Sequence, residues 1–321
     1  MRGVASADGL SLPPGKGPVE VSVGVFLADL SGVAERSETF NADLYLSVRW
    51  RDVRLAFAGA EPKRFLEEAA VEQLEQMWWP HIEFVNTASP QLTNRALDIS
   101  PDGSVRYELG LTGDFRADLD LRRFPFDRQT LAVRLQSFIW TDDEMVFVPD
   151  PTRIGFNPQS TFEGLSVIGV TTEVARRQLT GWTAAESYSE LAALIGVERR
   201  AGFYVWTVFT PVILIFLISC TVFIVPFEEF SNRISISLTA LLACVATQFA
   251  MSFNLPQIAY LTVIDWVFLV AYACIALGVL VSTLQVTVLH HRPGWAERVN
   301  RVAGCGLPVV FLLLIVLGVI W

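Results

Sequence analysis

The chain has 321 residues, of which 33 are acidic and 24 basic, and a formal net charge of −9. Its mean hydropathy of +0.43 is too high for an ordinary soluble protein. The acidic balance and the lack of any Lys/Arg cluster argue against a protein that binds nucleic acid. Of the charged residues, 29 acidic and 20 basic ones precede residue 202. We therefore expect a flexible N-terminus over 1–18, a polar domain over 19–200 and a membrane domain over 201–321.

The N-terminal residues MRGVASADGL lack the apolar core of about 7–15 residues that a secretion signal requires. We expect the numbering to begin at or near the mature terminus of an exported chain. The cysteines all lie in the apolar second part of the chain, at Cys220, Cys244, Cys274 and Cys305. The polar domain is therefore expected to contain neither a disulfide framework nor a zinc site.

Residues 19–200 show the pattern of an all-β domain. Apolar and polar residues alternate in VEVSVGVFLADL, which begins at Val19, and again in ADLYLSVRW and TLAVRLQSF. Turn sequences such as Asp102-Gly103 separate these runs. The one predicted helix covers 62–76, where Glu residues are frequent in the early turns. Many short strands at even spacing predict a β-sandwich.

The sequence contains no motif of an enzyme active site, since a Gly-rich phosphate loop, GxSxG and HExxH are all absent. The polar domain has a single histidine, His81, and its carboxylate pair Asp142-Asp143 belongs to the short sequence TDDE. We interpret TDDE as a solvated loop or a weak cation site rather than as acid–base machinery. We therefore expect no enzyme activity, no cofactor and no bound metal.

Four uncharged runs in the second part of the chain are each long enough to cross a bilayer, for which about 20 residues are needed. The expected spans are 203–226, 233–254, 263–290 and 296–321. The segment 290–301, where the fourth span begins, contains Arg292, Arg298 and Arg301, whereas the segment 254–265 between the second and third spans has no Lys or Arg. The positive-inside rule then places the polar domain outside the cell. Arg199 and Arg200 oppose this orientation only weakly, because long domains are translocated largely regardless of charge.

The second span carries a distinct stripe along one helical face. Residues at steps of four and three fall on it: Ser235, Thr239, Leu242, Ala246, Phe249 and Phe253. A ring of such helices would enclose a pore with hydroxyl groups at one end and apolar constrictions, made by Leu242 and Phe249, at the other. Two alternatives remain open. The hydroxyls can bond back to their own turn, and the apolar side chains can pack against neighbouring helices.

Residues 117–131, ADLDLRRFPFDRQTL, resemble the signature loop of the pentameric ligand-gated ion channels (the Cys-loop receptor superfamily), in which FPxD lies between two half-cystines. Ala117 and Leu131 occupy the two cysteine positions, as in the bacterial members that lack this disulfide. Further matches follow in the family's order: WRDVRL at 50–55, WP at 79–80, LQSF at 135–138 and RRAGFY at 199–204. A bacterial member of the family also aligns without a gap on 230–256. The resemblance covers essentially the whole chain.

The resemblance implies an all-β extracellular sandwich followed by a four-helix transmembrane bundle. It further implies a homopentamer around a central pore in the bacterial inner membrane, with a periplasmic or extracellular N-terminal domain and membrane lipid around the helices. Monovalent cations are the expected permeating ions. Relatives that select cations often have a Glu directly before the Arg that opens the second helix. Here Asn232 takes that position, and Glu228 and Glu229, one turn earlier, are the expected acidic ring.

The resemblance also implies agonist sites at subunit interfaces, with pH as a further candidate modulator. We expect the principal face to include 82–86, 151–162 and 180–189. The candidate ligand-binding residues are aromatic: Phe84, Phe156, Trp182 and Tyr188 on the principal face, and Phe26, Tyr45 and Tyr107 on the complementary face. Several aromatic faces around one cavity suit an amine or a flat aromatic agonist. For any single aromatic residue the alternative is a place in the sandwich core, although Trp182 and Tyr188 lie in a polar stretch.

Coupling between ligand site and pore is assigned by the resemblance to Arg123, Asp127, Arg200 and Pro256. A structural ion pair without a role in gating is the alternative for the charged members. Two other functions remain open: a membrane-anchored oligomeric sandwich that binds or senses a ligand without conduction, and a membrane-bound enzyme that uses acidic sandwich loops. A monomer or dimer in mild detergent would favour either of these over a channel.

Overall fold

The computed structural model describes residues 12–15, 17–159, 164–178, 186–226, 228–252, 258–287 and 293–320. These residues form two compact units. The first unit contains the described residues up to Leu119 together with Gln129–Glu198. The second contains Asp120–Arg128 and the described residues from Arg199 onward. The sequence assigns 120–128 to one continuous polar domain, whereas the structure groups this segment with the membrane helices.

The first unit is a β-sandwich. Its strands are β1 Val19–Ala34, β2 Thr39–Arg51, β3 Lys63–Leu66, β4 Ile82–Phe84, β5 Gln91–Ile99, β6 Ser104–Arg116, β7 Arg128–Ser137, β8 Met145–Pro149, β9 Gly155–Phe156, β10 Leu165–Gln178 and β11 Ser187–Arg199. Within the described residues, one sheet has the order β3-β5-β6-β2-β1-β8, with β9 also paired to β1, and the other has the order β10-β11-β7-β4. The predicted all-β sandwich is confirmed.

The core lies between the two sheets and follows the alternation that the sequence predicts. Val19, Val21, Val23 and Val25 of β1 are all buried. Successive side chains on a strand point to opposite faces, so one face of each strand fills the core. The β5–β6 turn contains Gly103 at φ +81°, where a Cβ would lie 2.4 Å from the carbonyl oxygen of Asp52. Only glycine fits that turn.

The helix predicted over 62–76 is half wrong. Lys63–Leu66 form β3, which pairs with β5, and the helix α1 covers only Glu68–Glu75. Glu67 separates the two at a positive φ of 49°. Strand pairing at the edge of the sheet, which no local pattern reports, overrides the helical propensity of these residues.

The second unit contains four helices that are long and apolar enough to span a membrane, counted over the residues that the structure describes. The first span, Gly202–Phe223, consists of α2 Gly202–Tyr204, a π-helical turn Val205–Phe209, α3 Thr210–Cys220 and a 3-10 turn Thr221–Phe223. The others are α4 Phe230–Ser252, α5 Val263–Thr287 and α6 Pro293–Ile320. Of these helices, α5 buries the most residues and lies at the centre of the bundle.

The π-helical turn in the first span has a local cause. Pro211 has no N–H, so it cannot make the usual hydrogen bond to the preceding turn. The hydroxyl of Thr210 donates instead to the carbonyl of Val205 at 3.0 Å. Further along, Phe216 of α3 stacks on Phe311 of α6 with ring centroids 3.9 Å apart. This contact attaches the last helix to the first.

Candidate functional site

The predicted pore stripe is an exposed face of α4 in the protomer. Ser235, Thr239 and Ala246 are exposed, and Leu242 and Phe249 are 70% and 64% exposed. Phe253 lies outside the described residues. The opposite face of the helix is buried in the bundle and consists of Arg233, Ser237, Ala240 and Cys244. The helix thus packs one face against its own bundle and leaves the predicted stripe accessible to other copies of the chain or to a pore.

Both hydroxyls of the stripe donate to carbonyls one turn back. Ser235 Oγ donates to the carbonyl of Ser231 at 2.9 Å, and Thr239 Oγ1 donates to that of Ser235 at 2.8 Å. This is the pattern that the alternative interpretation of these hydroxyls expects. It also leaves the oxygen lone pairs on the exposed face, because a hydroxyl that donates its hydrogen can still accept. The stripe therefore presents acceptor oxygens, which suit a cation better than an anion.

Glu228 and Glu229 lie directly before α4 and are both exposed. The carboxylate of Glu229 accepts a hydrogen bond from Asn232 Nδ2 at 2.6 Å. Negative charge beside a helix N-terminus is favourable because it meets the positive end of the helix dipole. Glu229 can therefore stabilise the start of α4 as well as contribute an acidic ring. Glu228 lies next to Glu229, so its carboxylate could contribute to an acidic ring at the same height along the predicted pore axis.

Asp127 forms a buried ion pair with Arg199, the residue directly before the Arg200 that the resemblance assigns to coupling. Arg199 Nε donates to Asp127 Oδ1 at 2.8 Å, and the side chains of Arg199 and Asp127 are 4% and 2% exposed. Arg200 is exposed. Strand alternation at the end of β11 turns Val197 and Arg199 to the same buried side.

The signature loop Asp120–Arg128 packs its aromatic residues on the start of the first span. Phe124 meets Tyr204 edge-on at 4.7 Å between ring centroids, and Phe126 meets Phe209 at 5.8 Å. The guanidinium of Arg199 lies over the Phe124 ring, 4.7 Å from its centroid. The FPFD sequence therefore fastens this loop to the residues that open the membrane helices.

Tyr260, in the connection between α4 and α5, is a contact residue that the sequence analysis does not identify. Its hydroxyl accepts a hydrogen bond from the backbone N–H of Leu121 at 3.0 Å, and Arg122 lies over its ring at 4.8 Å. Pro256, which was expected to act in this connection, lies outside the described residues. Arg123 is exposed and lines a cavity of about 700 Å³ with Leu261 and other residues of unit two. The only sequence signal for Tyr260 is its position between two spans.

Phe26 and Tyr45 lie side by side on neighbouring strands. They are register partners in the β1–β2 pair, and both are exposed. They line a cavity of about 580 Å³ together with Glu108 and Arg153, which form an ion pair at 2.7 Å. An aromatic wall beside two opposite charges can hold an aromatic ring or an ammonium group and can orient a polar substituent.

The segment that begins at Pro151 belongs to this same cavity, because residues 152–155 line it and Phe156 pairs with Leu27 of β1. The resemblance places 151–162 on the principal face and Phe26 and Tyr45 on the complementary face. The structure instead brings them together in one protomer, through the parallel pairing of β9 with β1. Residues 160–162 lie outside the described residues. Phe84 is half-buried in β4, which belongs to the other sheet, and does not join this cavity.

Tyr107 does not join Phe26 and Tyr45 either. It is the register partner of Val48 on β2, three positions along from Tyr45, and therefore faces the sandwich core. Tyr107 is buried, and this burial raises the pKa of its hydroxyl. The prediction that Tyr107 contributes to an accessible ligand site is wrong in this respect.

Tyr188 lies within β11 and is buried, rather than being exposed in a loop. Its ring is 6.4 Å from that of Phe138, and its hydroxyl donates to Glu186 at 3.0 Å. Desolvation and the neighbouring carboxylate of Glu186 both raise the pKa of Tyr188. Trp182 lies outside the described residues. The polar sequence around Tyr188 indicated exposure, but the strand begins one residue before it and turns its ring inward.

A second aromatic cluster was not predicted. The ring centroids of Trp79 and His81 are 4.0 Å apart, and those of His81 and Trp140 are 6.3 Å apart. Trp140 Nε1 donates a hydrogen bond to the Trp79 carbonyl at 3.0 Å. Burial lowers the pKa of His81. The available signals were the Trp79-Pro80 pair and the position of Trp140 directly before TDDE. The rings form a half-buried cluster with a titratable member.

The acidic sequence TDDE is in part a structural element. Asp142 is buried, accepts a hydrogen bond from Ser187 Oγ at 2.6 Å and lies 3.3 Å from Arg176. The interpretation of the whole sequence as a solvated loop is therefore wrong for Asp142. Among the residues that the structure describes, no group of three His, Cys, Asp or Glu side chains could hold a metal ion.

Comparison with known proteins identifies relatives that cover most of the chain. The family described as the neurotransmitter-gated ion-channel ligand binding domain matches residues 9–201. A proton-gated ion channel of Gloeobacter violaceus is 28% identical over 302 residues, covering 92% of this chain and 81% of that protein. The gamma-aminobutyric acid receptor subunit theta of Mus musculus is 26% identical over 280 residues, covering 83% of this chain and 42% of the subunit. The gamma-aminobutyric acid receptor subunit beta-4 of Gallus gallus is 25% identical over 256 residues, covering 78% of this chain and 51% of that subunit. The chain thus spans most of the bacterial relative but about half of these receptor subunits.

Proposed function

The chain belongs to the neurotransmitter-gated ion-channel family, and we propose that it is a ligand-gated channel in which five copies enclose a pore for monovalent cations. Its four apolar helices follow an extracellular N-terminal domain in a multi-pass membrane protein. The observation that carries the proposal is the exposed face of α4. Hydroxyls are followed there by Leu242 and Phe249, and the helix buries its other face in its own bundle.

Five copies would give this face a role that a single copy does not have. Five Leu242 side chains around an axis form an apolar ring, and a second ring of Phe249 lies two turns further along. Water leaves a sufficiently narrow apolar constriction, which blocks ions without a physical plug. At one edge of the stripe, a cavity of about 370 Å³ extends from Ser235 and Thr239 past Ile236 to Ile218 of α3. We propose that a helix of a neighbouring copy packs against the Ile236 and Ile218 side of this cavity and leaves the two hydroxyls at the pore.

Cation selectivity is supported by three features that act in the same direction. Glu228 and Glu229 put carboxylates at the start of the pore helix. Ser235 and Thr239 present oxygens rather than donors. The chain carries a net charge of −9, and its charged residues lie mostly outside the membrane, so the outer domain would concentrate cations near the pore entrance.

We propose that the agonist is an amine or an aromatic molecule and that it binds against Phe26 and Tyr45 at the interface with the next subunit. The cavity in one protomer supplies aromatic faces and the Glu108–Arg153 ion pair, and a neighbouring copy would close it. A related bacterial channel is proton-gated, and His81 in the second aromatic cluster titrates below its ordinary range. Modulation by pH is therefore part of the proposal.

Movement of the ligand domain would reach the pore through the signature loop. This loop continues β6 and β7 and is attached to the first span by Phe124, Phe126 and the Asp127–Arg199 pair. It also holds Tyr260 in the connection between the pore helix and α5. A displacement of the loop would therefore act on Arg199, directly before the first span, and on Tyr260, directly after the pore helix.

Reversal potentials of the reconstituted protein in asymmetric KCl test this proposal. Replacing both carboxylates, Glu228→Gln with Glu229→Gln, is expected to lower cation conductance or to move the reversal potential toward zero. Glu297→Gln, which neutralises an exposed carboxylate of α6, is the matched control and should leave both values unchanged. A wild-type reversal potential at the chloride value would refute cation selectivity. A monomer or dimer in mild detergent, with no current, would favour a sensor without conduction.

A further inference from the structure

The side chain of Arg233, at the start of the pore helix, lies inside the bundle. It is 1% exposed although it belongs to the first turns of α4. Moving a charged group out of water is costly unless hydrogen bonds replace its hydration. The structure supplies them from two other helices and from the end of the first span.

The acceptors that the described residues offer to this guanidinium are all neutral. Arg233 Nε and Nη2 donate to the carbonyl of Val225 at 3.0 and 2.5 Å. Nη1 donates to Gln285 Oε1 of α5 at 2.5 Å, and Nη2 donates to Asn300 Oδ1 of α6 at 2.9 Å. Among the described residues no carboxylate bonds to this guanidinium, and the negative charge of Glu228 acts on it only from a greater distance.

The two amide side chains are themselves fixed. Gln285 Nε2 donates to the carbonyl of Ala296 at 3.1 Å, and Asn300 Nδ2 donates to that of Phe223 at 2.5 Å. Gln285 is fully buried. Each amide thus offers its oxygen to Arg233 because its nitrogen is already bonded to the backbone. We call Arg233, Gln285 and Asn300 the amide cluster.

The amide cluster determines which face of α4 is turned outward. Arg233 shares the buried face with Ser237, Ala240 and Cys244. Residues two positions further along a helix are turned by roughly 200°, so a buried Arg233 leaves Ser235 exposed. Rotating α4 enough to bring the guanidinium to the exposed face would carry the hydroxyl stripe away from it.

We propose that the amide cluster is a specificity-determining element. It keeps five positive charges out of the conduction path and keeps the hydroxyl stripe in that path. Gln285 and Asn300 act as positioning residues through Arg233 and touch no ion themselves. The inference rests on the proposed function, because it presumes that α4 lines the pore.

The test is single-channel conductance of the full-length reconstituted channel. In the double variant Gln285→Leu with Asn300→Leu, the guanidinium loses both side-chain acceptors and keeps only the carbonyl of Val225. A buried charge with too few hydrogen bonds favours water, so we expect the guanidinium to move toward the aqueous pore mouth. One charge at about 8 Å from a permeating cation in water changes its local concentration about twofold, so cation conductance should fall at least about twofold. Adding Arg233→Met to the double variant should restore the conductance, since no charge remains to be released.

Two controls separate this effect from general damage to the bundle. Asn300→Gln keeps an amide, with an oxygen that can accept from Arg233 and a nitrogen that can donate to the carbonyl of Phe223, and should conduct closer to the wild type than Asn300→Leu does. Ser282→Ala removes a buried hydroxyl of α5 that donates to the carbonyl of Gly278, away from Arg233, and should also conduct normally. If the double variant does not assemble, Asn300→Leu alone, which retains Gln285, should show a smaller decrease in the same direction.

Unchanged conductance in the assembled double variant, or in Asn300→Leu if only that variant assembles, would overturn the proposal. So would a decrease that Arg233→Met fails to reverse, since that result would mean damage rather than a released charge. Failure of the proposed selectivity gives a different result. In an anion-selective channel the released charge would raise conductance, and Arg233→Met would still cancel the change.

Discussion

Neutralising Asp127 should destabilise the protein far more than neutralising a carboxylate seven residues earlier in the same loop. Asp127 and Arg199 are almost fully buried, so Asp127→Asn leaves a guanidinium without its counter-charge inside the protein. Breaking such a pair from one side costs about 3–5 kcal/mol. For a protein of this size about 1 kcal/mol corresponds to roughly 2–4 °C in melting temperature, so a decrease of about 10 °C is expected.

Thermal unfolding of the detergent-solubilised protein, followed by tryptophan fluorescence, measures this decrease. The control is Asp120→Asn. Asp120 pairs with Arg122 at 2.9 Å, but the two side chains are 60% and 66% exposed, so at most about 1 kcal/mol should be lost. Adding Arg199→Met to Asp127→Asn should recover part of the loss, with a coupling of about 1.5 kcal/mol or more. Equal decreases for Asp120→Asn and Asp127→Asn, or simple addition in the double variant, would refute the reasoning.

Three further results are expected. Leu242→Ser should let water into the apolar constriction and produce leak current or higher agonist sensitivity in bilayer recordings. The control is Leu241→Ser, one position off the stripe, which should produce neither effect. Unchanged currents in Leu242→Ser would show that Leu242 is not part of the gate. Tyr260→Phe removes the hydroxyl that accepts a hydrogen bond from the Leu121 N–H, a loss of about 1 kcal/mol. The agonist or proton concentration that gives half-maximal current should therefore shift about fivefold. An unshifted concentration–response curve would show that this contact has no role in gating. Burial lowers the pKa of His81 in the folded protein, so the unfolded chain takes up the proton first. Stability should therefore fall as pH drops below about 6.5, by up to about 1.4 kcal/mol per pH unit, until the folded pKa is passed. The melting temperature of His81→Gln should lose this part of the pH dependence, and an identical slope in the variant would place the titrating group elsewhere.

Periodic burial made most of the architecture predictable. Apolar and polar residues alternate along a strand because one of its faces is buried in the core, and a helix that crosses a membrane is uncharged along its length. Both patterns can be recognised from neighbouring residues in the sequence. The pore stripe was predictable for the same reason, because Leu242 and Phe249 repeat at helical spacing. In the protomer Leu242 and Phe249 are exposed, and their place in a pore stays a prediction.

Pairing and register were the features that local patterns could not supply. Residues 63–66 have a helical sequence pattern but form a strand that pairs with β5. Tyr188 lies in a polar sequence but is buried, because β11 begins at Ser187 and directs its side chain into the protein. Arg199 and Arg200 are adjacent and chemically identical, so the sequence alone does not indicate that Arg199 is the buried partner of Asp127. The contact between Leu121 and Tyr260 joins residues 139 positions apart in the chain. Such contacts depend on the packed fold rather than on neighbouring residues.

Planar bilayer recording of the purified protein in asymmetric KCl tests the central claim most directly. Wild-type protein would be recorded with a panel of amines and aromatic compounds and across a range of pH. Leu242→Ser would be recorded without ligand, so that the test does not depend on finding the agonist. The account predicts unitary currents that reverse near the potassium equilibrium potential and that the Leu242→Ser protein carries spontaneously. A pentameric protein that carries no current in either form, or currents that reverse at the chloride potential, would contradict it.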